Sequence, residues 1–241
     1  ILLIDNRDSN LAHLLAQHAG EEPFVVGAED VETLDIPDRI RAGEFSHIVI
    51  SPGPGHPGKA SDFAGAKRVI EAADGIPLLG VCLGHQGLAM HAGAKVIEGT
   101  PQHGVVSTIQ HSGEGLFRSL PQDFKVVRYH SLHVAEPLPP QLRVHARSSD
   151  GVVQAIEHRS QPHWGVQFHP ESVLTEFGSH LIARFLELRP RPVFRVLHRG
   201  HQLDDEVEHI FRSLSARTEQ CFWLDDATKQ GWSILGTNAG S

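Results

Sequence analysis

The first half of the chain alternates short apolar runs with longer segments in which apolar residues recur at helical spacing. The apolar runs are too short for typical helices and lack polar alternation, which predicts strands that are buried on both faces. These predicted strands cover residues 1–5, 23–26, 47–51 and 77–81. The intervening segments predict helices over residues 6–20 and 63–73, and a third helix that follows Cys82 and ends near His91. This order is typical of a parallel sheet that is covered by helices.

The second half of the chain has a different pattern, in which short strand-like runs are separated by turn residues. The predicted strands cover residues 104–110, 124–129, 142–147, 152–157 and 164–168. They favour an antiparallel extension of the same sheet. Residues 175–188 place Phe177, Leu181, Phe185 and Leu188 on one stripe, which predicts an amphipathic helix. The predicted fold class is therefore α/β, with a mixed, mainly parallel central sheet and flanking helices.

Residues 189–192 (Arg-Pro-Arg-Pro) predict a domain boundary. We expect a first domain over residues 1–189, a linker over 190–193 and the start of a truncated second domain over 194–241. The tail predicts a strand over 194–197, a helix over 204–214 and a strand over 221–226, which together form a short α+β fragment. The alternative is a small accessory β-α-β segment. Because the chain does not begin with Met, we expect a piece of a longer protein.

Composition argues against several classes of protein. The two cysteines, Cys82 and Cys221, lie far apart, which fits a reducing compartment and predicts a cytoplasmic protein. A net charge of −8 without a Lys/Arg run argues against nucleic-acid binding. No apolar stretch approaches the roughly 20 residues that span a bilayer, so no membrane partner is expected. The histidines and carboxylates show no metal-ligand spacing, so no metal site is predicted.

Cys82 is the first candidate for chemistry. It follows a predicted buried strand and precedes a predicted helix, so it should lie at the carboxyl edge of the sheet, where α/β proteins bind ligands. Backbone N–H groups at the start of the helix favour thiolate over thiol. Gly80 and Gly84 permit a sharp turn on either side of the cysteine. The alternative is a buried structural cysteine.

Two further motifs supply candidate partners for Cys82. His169 and Glu171 are two residues apart in an extended segment and should project from the same side, as a base and its orienting group require. Gly53 and Gly55 follow another predicted strand and could bring backbone N–H groups close to a ligand. The alternatives are a surface histidine and glutamate, and an ordinary Pro/Gly turn.

Four motifs in this order resemble those of a known family. They are residues 51–57 (Ser-Pro-Gly-Pro-Gly-His-Pro), 80–86 (Gly-Val-Cys-Leu-Gly-His-Gln), 129–132 (Tyr-His-Ser-Leu) and 165–172 (Gly-Val-Gln-Phe-His-Pro-Glu-Ser). With them, residues 1–188 resemble the triad class, or class I, of glutamine amidotransferases. The resemblance implies the flavodoxin-like fold of that family and hydrolysis of glutamine to glutamate and ammonia.

The resemblance also implies a role for each matching residue. Cys82 is expected to attack the side-chain amide of glutamine, with His169 carrying the proton and Glu171 fixing the histidine tautomer. The residues expected to supply oxyanion N–H groups are Gly53 and Leu83. The residues expected to hold the substrate glutamine are Gly55, Gln86, Ser131 and Leu132.

The residues within these motifs are similar to those of the chorismate-using branch of the family, whose products are aminodeoxychorismate or anthranilate. Residues 222–225 (Phe-Trp-Leu-Asp) and 232–236 (Trp-Ser-Ile-Leu-Gly) resemble the opening of the chorismate-binding component of aminodeoxychorismate synthase. The resemblance implies a partner synthase domain, fused in the same polypeptide, and the para-aminobenzoate route to folate. It implies no cofactor for this chain, since Mg²⁺ would belong to the synthase domain. The alternatives are anthranilate synthesis and a catalytically silent regulatory module.

One departure from the family lies near the start of the chain. The family usually carries an aromatic residue at the positions of Arg7 and Asn10. Neither position has a catalytic role in the family, so the departure puts local packing or contact with a partner in doubt, and not the triad.

Overall fold

The computed structural model describes residues 1–6, 10–191, 221–224 and 234–237. The chain divides into two compact units, Ile1–Pro192 and Val193–Ser241. The first unit contains all of the candidate residues. In the second unit, the backbone of two strands is described.

Nine strands of the first unit form a single sheet. They are β1 Leu2–Asp5, β2 Phe24–Gly27, β3 Ile48–Ile50, β4 Leu78–Val81, β5 Val96–His111, β6 Phe124–Val134, β7 Leu142–Ser148, β8 Val153–His158 and β9 His163–Val166. Their order across the sheet is β2-β1-β3-β4-β9-β8-β7-β5-β6. The pairs from β2 to β9 are parallel, and those from β9 to β6 are antiparallel. The predicted mixed α/β sheet is thereby confirmed.

The helices of the first unit are α1 Leu11–Ala19, α2 Ile36–Arg41, α3 Ala60–Ala72, α4 Leu83–His91 and α5 Gly178–Leu186. The sequence pattern missed α2, which has only six residues and begins with Ile36-Pro37 after a positive-φ Asp35. Helices this short offer too few repeats for an apolar periodicity to be read. No helix of the described residues is long and apolar enough to cross a membrane.

The first predicted helix, over residues 6–20, begins too early. Asn6 cannot join it, because its backbone N–H donates to Ser51 Oγ at 2.8 Å and its side-chain amide to the Ser51 carbonyl at 2.9 Å. The helix begins at Leu11, after the exposed Asn10, whereas Arg7 lies outside the described residues. Asn6 thus ties the end of β1 to the end of β3.

The last helix of the first unit also differs from the predicted 175–188. It covers Gly178–Leu186, because the Thr175 hydroxyl bonds to neighbouring segments and Phe177 has a left-handed φ of 58°. Thr175 Oγ1 donates to the His169 carbonyl at 2.7 Å and accepts from the Val127 N–H at 3.0 Å. The segment before α5 therefore braces the segment after β9 that carries His169.

The longest strand is β5, which runs well beyond the predicted 104–110. It pairs with β6 along most of its length, with register shifts between Glu98 and Gln102 and between His103 and Val105. Such bulges hide the two-residue alternation from which strands are recognised in a sequence. Together β5 and β6 form the long outer hairpin of the sheet.

The core lies on both faces of the parallel strands. Leu3, Val49 and Leu79 face α1 and α5, which contribute Leu15 and Phe185. The alternate residues of the same strands face α2 and α3 in a second cluster; among them are Leu2, Ile4, Ile48, Ile50 and Leu78. Successive side chains of a strand point to opposite faces, so a strand covered on both sides is apolar throughout. This packing makes the sheet a rigid platform for its carboxyl edge.

The described part of the second unit is an antiparallel pair of strands. β10 Cys221–Leu224 pairs with β11 Ile234–Thr237, with Cys221 opposite Thr237. β10 lies within the predicted strand over 221–226. The predicted strand over 194–197 and helix over 204–214 lie outside the described residues.

Acid should destabilise the first unit. Burial lowers the pKa of His85 to about 3 and that of His163 to about 4, compared with about 6.5 in an unfolded chain. The unfolded state therefore binds more protons between pH 6.5 and 4, and the free energy of unfolding falls as pH falls through that window. The test variant is His163→Gln, which keeps a donor for the Ala73 carbonyl that His163 Nε2 reaches at 3.1 Å. Urea unfolding at several pH values should show a shallower loss of stability in this variant.

The control for this test is His13→Gln at an exposed position of α1. It should leave the pH profile parallel to that of the wild type. Profiles of wild type and His163→Gln that remain parallel from pH 6.5 to 4 would contradict burial as the cause.

Candidate active site

Cys82 occupies the single residue between β4 and α4. Its φ of 51° and ψ of −99° lie outside the helical and extended regions, which a residue with a Cβ rarely leaves. Two hydrogen bonds hold it there: its N–H donates to the Val166 carbonyl at 2.8 Å, and its carbonyl accepts from the Gln86 N–H at 3.0 Å. Strain of this kind persists where the surroundings enforce it and is common at reactive residues.

The turn at Cys82 depends on close backbone packing. A Cβ on Gly84 would lie 2.4 Å from the Ile50 carbonyl oxygen, and a Cβ on Gly80 would lie 2.5 Å from the backbone of Gly84. Both distances are shorter than real Cβ contacts, so neither position accepts a side chain without a backbone shift. The first turn of α4 is thereby pressed against β3 and β4. The expected roles of Gly80 and Gly84 in the turn therefore have a steric basis.

His169 and Glu171 form a buried pair in the segment that follows β9. The Nδ1 of His169 lies 2.8 Å from Glu171 Oε1, and the two side chains are 10% and 8% exposed. Since the carboxylate accepts, Nδ1–H donates and Nε2 is the free nitrogen of the ring. The extended backbone therefore does bring these two side chains into contact, which their spacing alone left open.

The segment that carries this pair is fixed from both sides. The His169 N–H donates to the Val127 carbonyl at 3.0 Å, which attaches the segment to β6. On the other side a Cβ on Gly178 would lie 1.9 Å from the Pro170 carbonyl oxygen, so α5 begins directly against it. Tyr129 packs edge-on against the His169 ring at a centroid distance of 5.1 Å. The imidazole is thus held in one orientation.

Cys82 and Glu171 act on His169 electrostatically. Burial would lower the pKa of His169, but the adjacent Cys82 sulfur and Glu171 carboxylate outweigh it and raise the pKa to about 10. The Nε2 atom is buried and makes no hydrogen bond of ordinary length and angle, which leaves it available to the nearby sulfur. The raised pKa therefore keeps His169 an imidazolium at neutral pH.

The glycine-rich loop after β3 lies at the same sheet edge, because β3 and β4 are parallel neighbours. A Cβ on Gly53 would lie 2.4 Å from Asn6 Cβ, so the loop packs directly on the end of β1. Gly55 has a φ of 101°, and a Cβ there would lie 2.6 Å from Asp62 Oδ2. That carboxylate also accepts from the His56 N–H at 3.0 Å. The loop is therefore anchored at both ends near the Cys82 turn.

Gln86 and Leu132 are in direct contact. The side-chain amide of Gln86, which is 3% exposed, donates to the Leu132 carbonyl at 2.8 Å. Leu132 and the exposed Ser131 are neighbours on β6. The structure therefore brings together three of the residues expected to hold a substrate. The side-chain amide of Gln86, however, donates to another part of the protein.

Sequence reasoning missed Gln167. Its side chain is fully buried, and its amide nitrogen lies 3.6 Å from Cys82 Sγ. The available signal was a polar residue within an apolar run, two positions before His169 and so on the same side of the extended chain. Among the residues that the structure describes, no group of three or more His, Cys, Asp and Glu could hold a metal ion.

Gly84→Ala should destabilise the first unit. By helix propensity alone, alanine within α4 would gain about 1 kcal/mol over glycine. The clash with the Ile50 carbonyl oxygen at 2.4 Å should reverse the sign and cost about 1–3 kcal/mol. Urea unfolding measures the difference. The matched control is Gly27→Ala, whose Cβ would meet side-chain atoms and no backbone, at 3.2 Å from Glu29 and 3.4 Å from Asp30. A Gly84→Ala protein as stable as wild type would show that the turn is not sterically fixed.

Comparison with known proteins agrees with this geometry. The sequence model of the family "Glutamine amidotransferase class-I" matches residues 2–188. The chain is 47% identical over 194 residues to an aminodeoxychorismate synthase of Streptomyces pristinaespiralis, covering 79% of this chain and 26% of that protein. It is 42% identical over 194 residues to an anthranilate synthase component 2 of Methanothermobacter marburgensis, covering 78% of this chain and 98% of that protein.

A solved structure gives the same fold. The glutamine amidotransferase of Thermotoga maritima superposes with a TM-score of 0.60 at 23% identity, covering 70% of this chain and 75% of the other. The chain spans about a quarter of the length of the aminodeoxychorismate synthases that it matches. By its fold, its Cys82 turn and a family match over almost the whole first unit, this chain belongs to the class-I glutamine amidotransferases.

Proposed function

We propose that this chain hydrolyses glutamine to glutamate and ammonia, with Cys82 as nucleophile, His169 as acid and base and Glu171 as the group that orients the histidine. The observation that supports this most directly is the buried His169–Glu171 pair beside a strained cysteine. A nucleophile, a base that influences its protonation and a carboxylate on the far nitrogen of that base are the parts of a catalytic triad.

The first half of the proposed reaction forms a thioester. The Cys82 sulfur attacks the side-chain amide carbon of glutamine, and the carbonyl π electrons move onto oxygen. When the tetrahedral intermediate collapses, the C–N bond breaks and His169 Nε2 gives its proton to the nitrogen, which leaves as ammonia. The raised pKa of His169, at about 10, keeps that proton available at neutral pH.

The second half hydrolyses the thioester. Once the sulfur is acylated it no longer carries a negative charge, so one of the contacts that raise the pKa of His169 is lost. The neutral imidazole then takes a proton from water, whose oxygen attacks the thioester carbon. The C–S bond breaks, glutamate leaves and the Cys82 thiolate returns. Acylation itself thus switches His169 from acid to base.

The N–H groups of Gly53 and Leu83 are the proposed oxyanion donors. Leu83 opens α4, and Gly53 lies in the adjacent loop at the same sheet edge. Each such donor is typically worth about 3–4 kcal/mol of transition-state stabilisation. Donors on backbone that is pinned by close packing need little reorganisation as charge develops.

Gly55, Gln86, Ser131 and Leu132 are the proposed binding residues for the amino-acid end of glutamine. The contact between Gln86 and the Leu132 carbonyl gives Gln86 a supporting part, because it fixes the β6 segment on which Ser131 lies. In this proposal the backbone of residues 131–132 meets the substrate, and the Gln86 side chain holds that backbone in place.

The released ammonia is proposed to serve a chorismate-using synthase domain, fused in the same polypeptide, that forms aminodeoxychorismate for the para-aminobenzoate route to folate. The relative at 47% identity is an aminodeoxychorismate synthase almost four times the length of the matched region. Any Mg²⁺ would be needed by that domain. A specific observation supports the anthranilate alternative: the component 2 relatives at 42% identity match over 98% of their own length.

Cys82→Ser should abolish glutamine-dependent product formation and leave synthesis from added ammonium salt intact. The reason is that Cys82 acts only on glutamine, whereas ammonia bypasses this step. The assay is glutamate release and chorismate consumption by the polypeptide that the complete gene encodes. Cys221→Ser is the matched control, and it should keep glutamine-dependent activity. Glutamine-dependent turnover in purified Cys82→Ser protein would rule out the assigned nucleophile.

The product separates the two routes. Incubation of the same polypeptide with chorismate and glutamine should give aminodeoxychorismate, identified by mass and retention time against both standards. Anthranilate as the product would replace the first route with the second and leave the glutaminase assignment untouched.

A further inference from the structure

A continuous set of hydrogen bonds runs from Arg128 on β6 to the sulfur of Cys82. Arg128 Nε lies 3.1 Å from His130 Nε2, and His130 Nδ1 lies 2.9 Å from the Leu132 carbonyl oxygen. That oxygen also accepts from Gln86 Nε2. Gln86 Nε2 lies 3.2 Å from Gln167 Oε1, and Gln167 Nε2 lies 3.6 Å from Cys82 Sγ. The two glutamines thus lie between a backbone carbonyl and the reactive atom.

Groups that can only donate or only accept fix the direction of every hydrogen bond in this set. Arg128 can only donate, so His130 Nε2 accepts and the ring carries its proton on Nδ1. His130 is neutral, because burial and the neighbouring Arg128 lower its pKa to about 4. The Leu132 carbonyl can only accept, so it receives N–H groups from both His130 and Gln86.

The same logic fixes the amide of Gln167. Since the Gln86 group that faces Leu132 must be its nitrogen, the second N–H of that nitrogen meets an acceptor, which is Gln167 Oε1. The other end of the Gln167 amide, at 3.6 Å from Cys82 Sγ, must then be the NH₂ group. An amide that could otherwise be placed in either orientation is therefore assigned by its partners.

Gln167 is also immobile and dry. Its side chain is fully buried, and its backbone N–H donates to the Gln154 carbonyl of β8 at 2.9 Å. A hydrogen bond to an ionised acceptor is stronger than one to a neutral group, and more so where water is excluded. An amide N–H has no proton to lose near neutral pH, so its contribution persists while the proton of His169 moves.

We propose that Gln167 is a further catalytic residue, whose amide N–H donates to the Cys82 sulfur, stabilises its thiolate and aims it at the substrate. This role rests on the proposed nucleophilic role of Cys82. Gln86 links Gln167 to the Leu132 carbonyl. The two glutamines therefore support both the nucleophile and the β6 segment that is proposed to meet the substrate.

The test compares Gln167→Met and Gln167→Glu in a Cys221→Ser background, which leaves Cys82 as the one cysteine of these 241 residues. Methionine keeps the length and removes the donor; glutamate keeps the shape and places a carboxylate beside the sulfur. The first readout is the ultraviolet absorbance of the thiolate as a function of pH. The second is the kcat and KM of glutamine hydrolysis, and unfolding curves establish that each variant is folded.

In Gln167→Met we expect the midpoint of thiolate titration to move to higher pH by about one unit or more. We also expect kcat to fall about ten- to a hundredfold with a smaller change in KM, as the loss of one hydrogen bond to a charged group implies. In Gln167→Glu the shift should be larger, since like charges repel. The matched control is Gln154→Met, a buried glutamine on β8 whose amide reaches Ser148 Oγ at 3.2 Å, and it should titrate as wild type.

A Gln167→Met protein with wild-type titration and kcat would overturn the proposal, as would an equal shift in Gln154→Met. If Gln167→Met does not fold, Gln167→Glu decides by the same two readouts. The titration needs no glutaminase activity. Failure of the nucleophile assignment, seen as turnover in Cys82→Ser, is therefore distinguishable from failure of the role assigned to Gln167.

Discussion

The site depends on one backbone hydrogen bond, from the N–H of Cys82 to the carbonyl of Val166 at 2.8 Å. It continues the parallel pairing of β4 with β9, in which Val81 lies opposite Val166, beyond the last residue of β4. Gln167 and His169 follow Val166 directly and alternate with the buried Phe168. A shift of one residue in this register would turn them to the opposite face and away from the sulfur.

Close backbone packing around that hydrogen bond lets a cysteine adopt an unfavourable conformation. A strained residue of this kind costs on the order of 1–3 kcal/mol. The two-sided core beneath the carboxyl edge offsets it, because each fully buried large apolar side chain contributes roughly 1.5–3 kcal/mol. The first turn of α4 cannot relax, since Gly84 lies directly against the Ile50 carbonyl. The closely packed apolar strands therefore also hold the turn at Cys82 rigid.

The pKa values of buried histidines are shifted in opposite directions in this molecule, and the neighbouring groups decide the direction of each shift. Burial holds the pKa of His85 at about 3 and that of His130 at about 4, so both are neutral. His169 is buried as well, but Cys82 and Glu171 face it and raise its pKa to about 10. The partners of His169, and not its burial, therefore make it an imidazolium. Neutral His130 serves instead as a directed donor to the Leu132 carbonyl.

The sequence by itself determined the alternation of strands and helices, the mixed sheet, the turn at Cys82 and the side on which His169 and Glu171 project. These follow from local rules: apolar runs, helical periodicity, glycine at a sharp turn and the two-residue repeat of an extended chain. The sequence overextended the first helix and missed α2, because the backbone and side-chain hydrogen bonds of Asn6 and the short length of α2 leave no periodic signal. Only the tertiary structure decided that Gln167 reaches the sulfur and that Gln86 turns to Leu132. Those contacts join residues 85 and 46 positions apart, and no local pattern encodes which buried amide will find which partner.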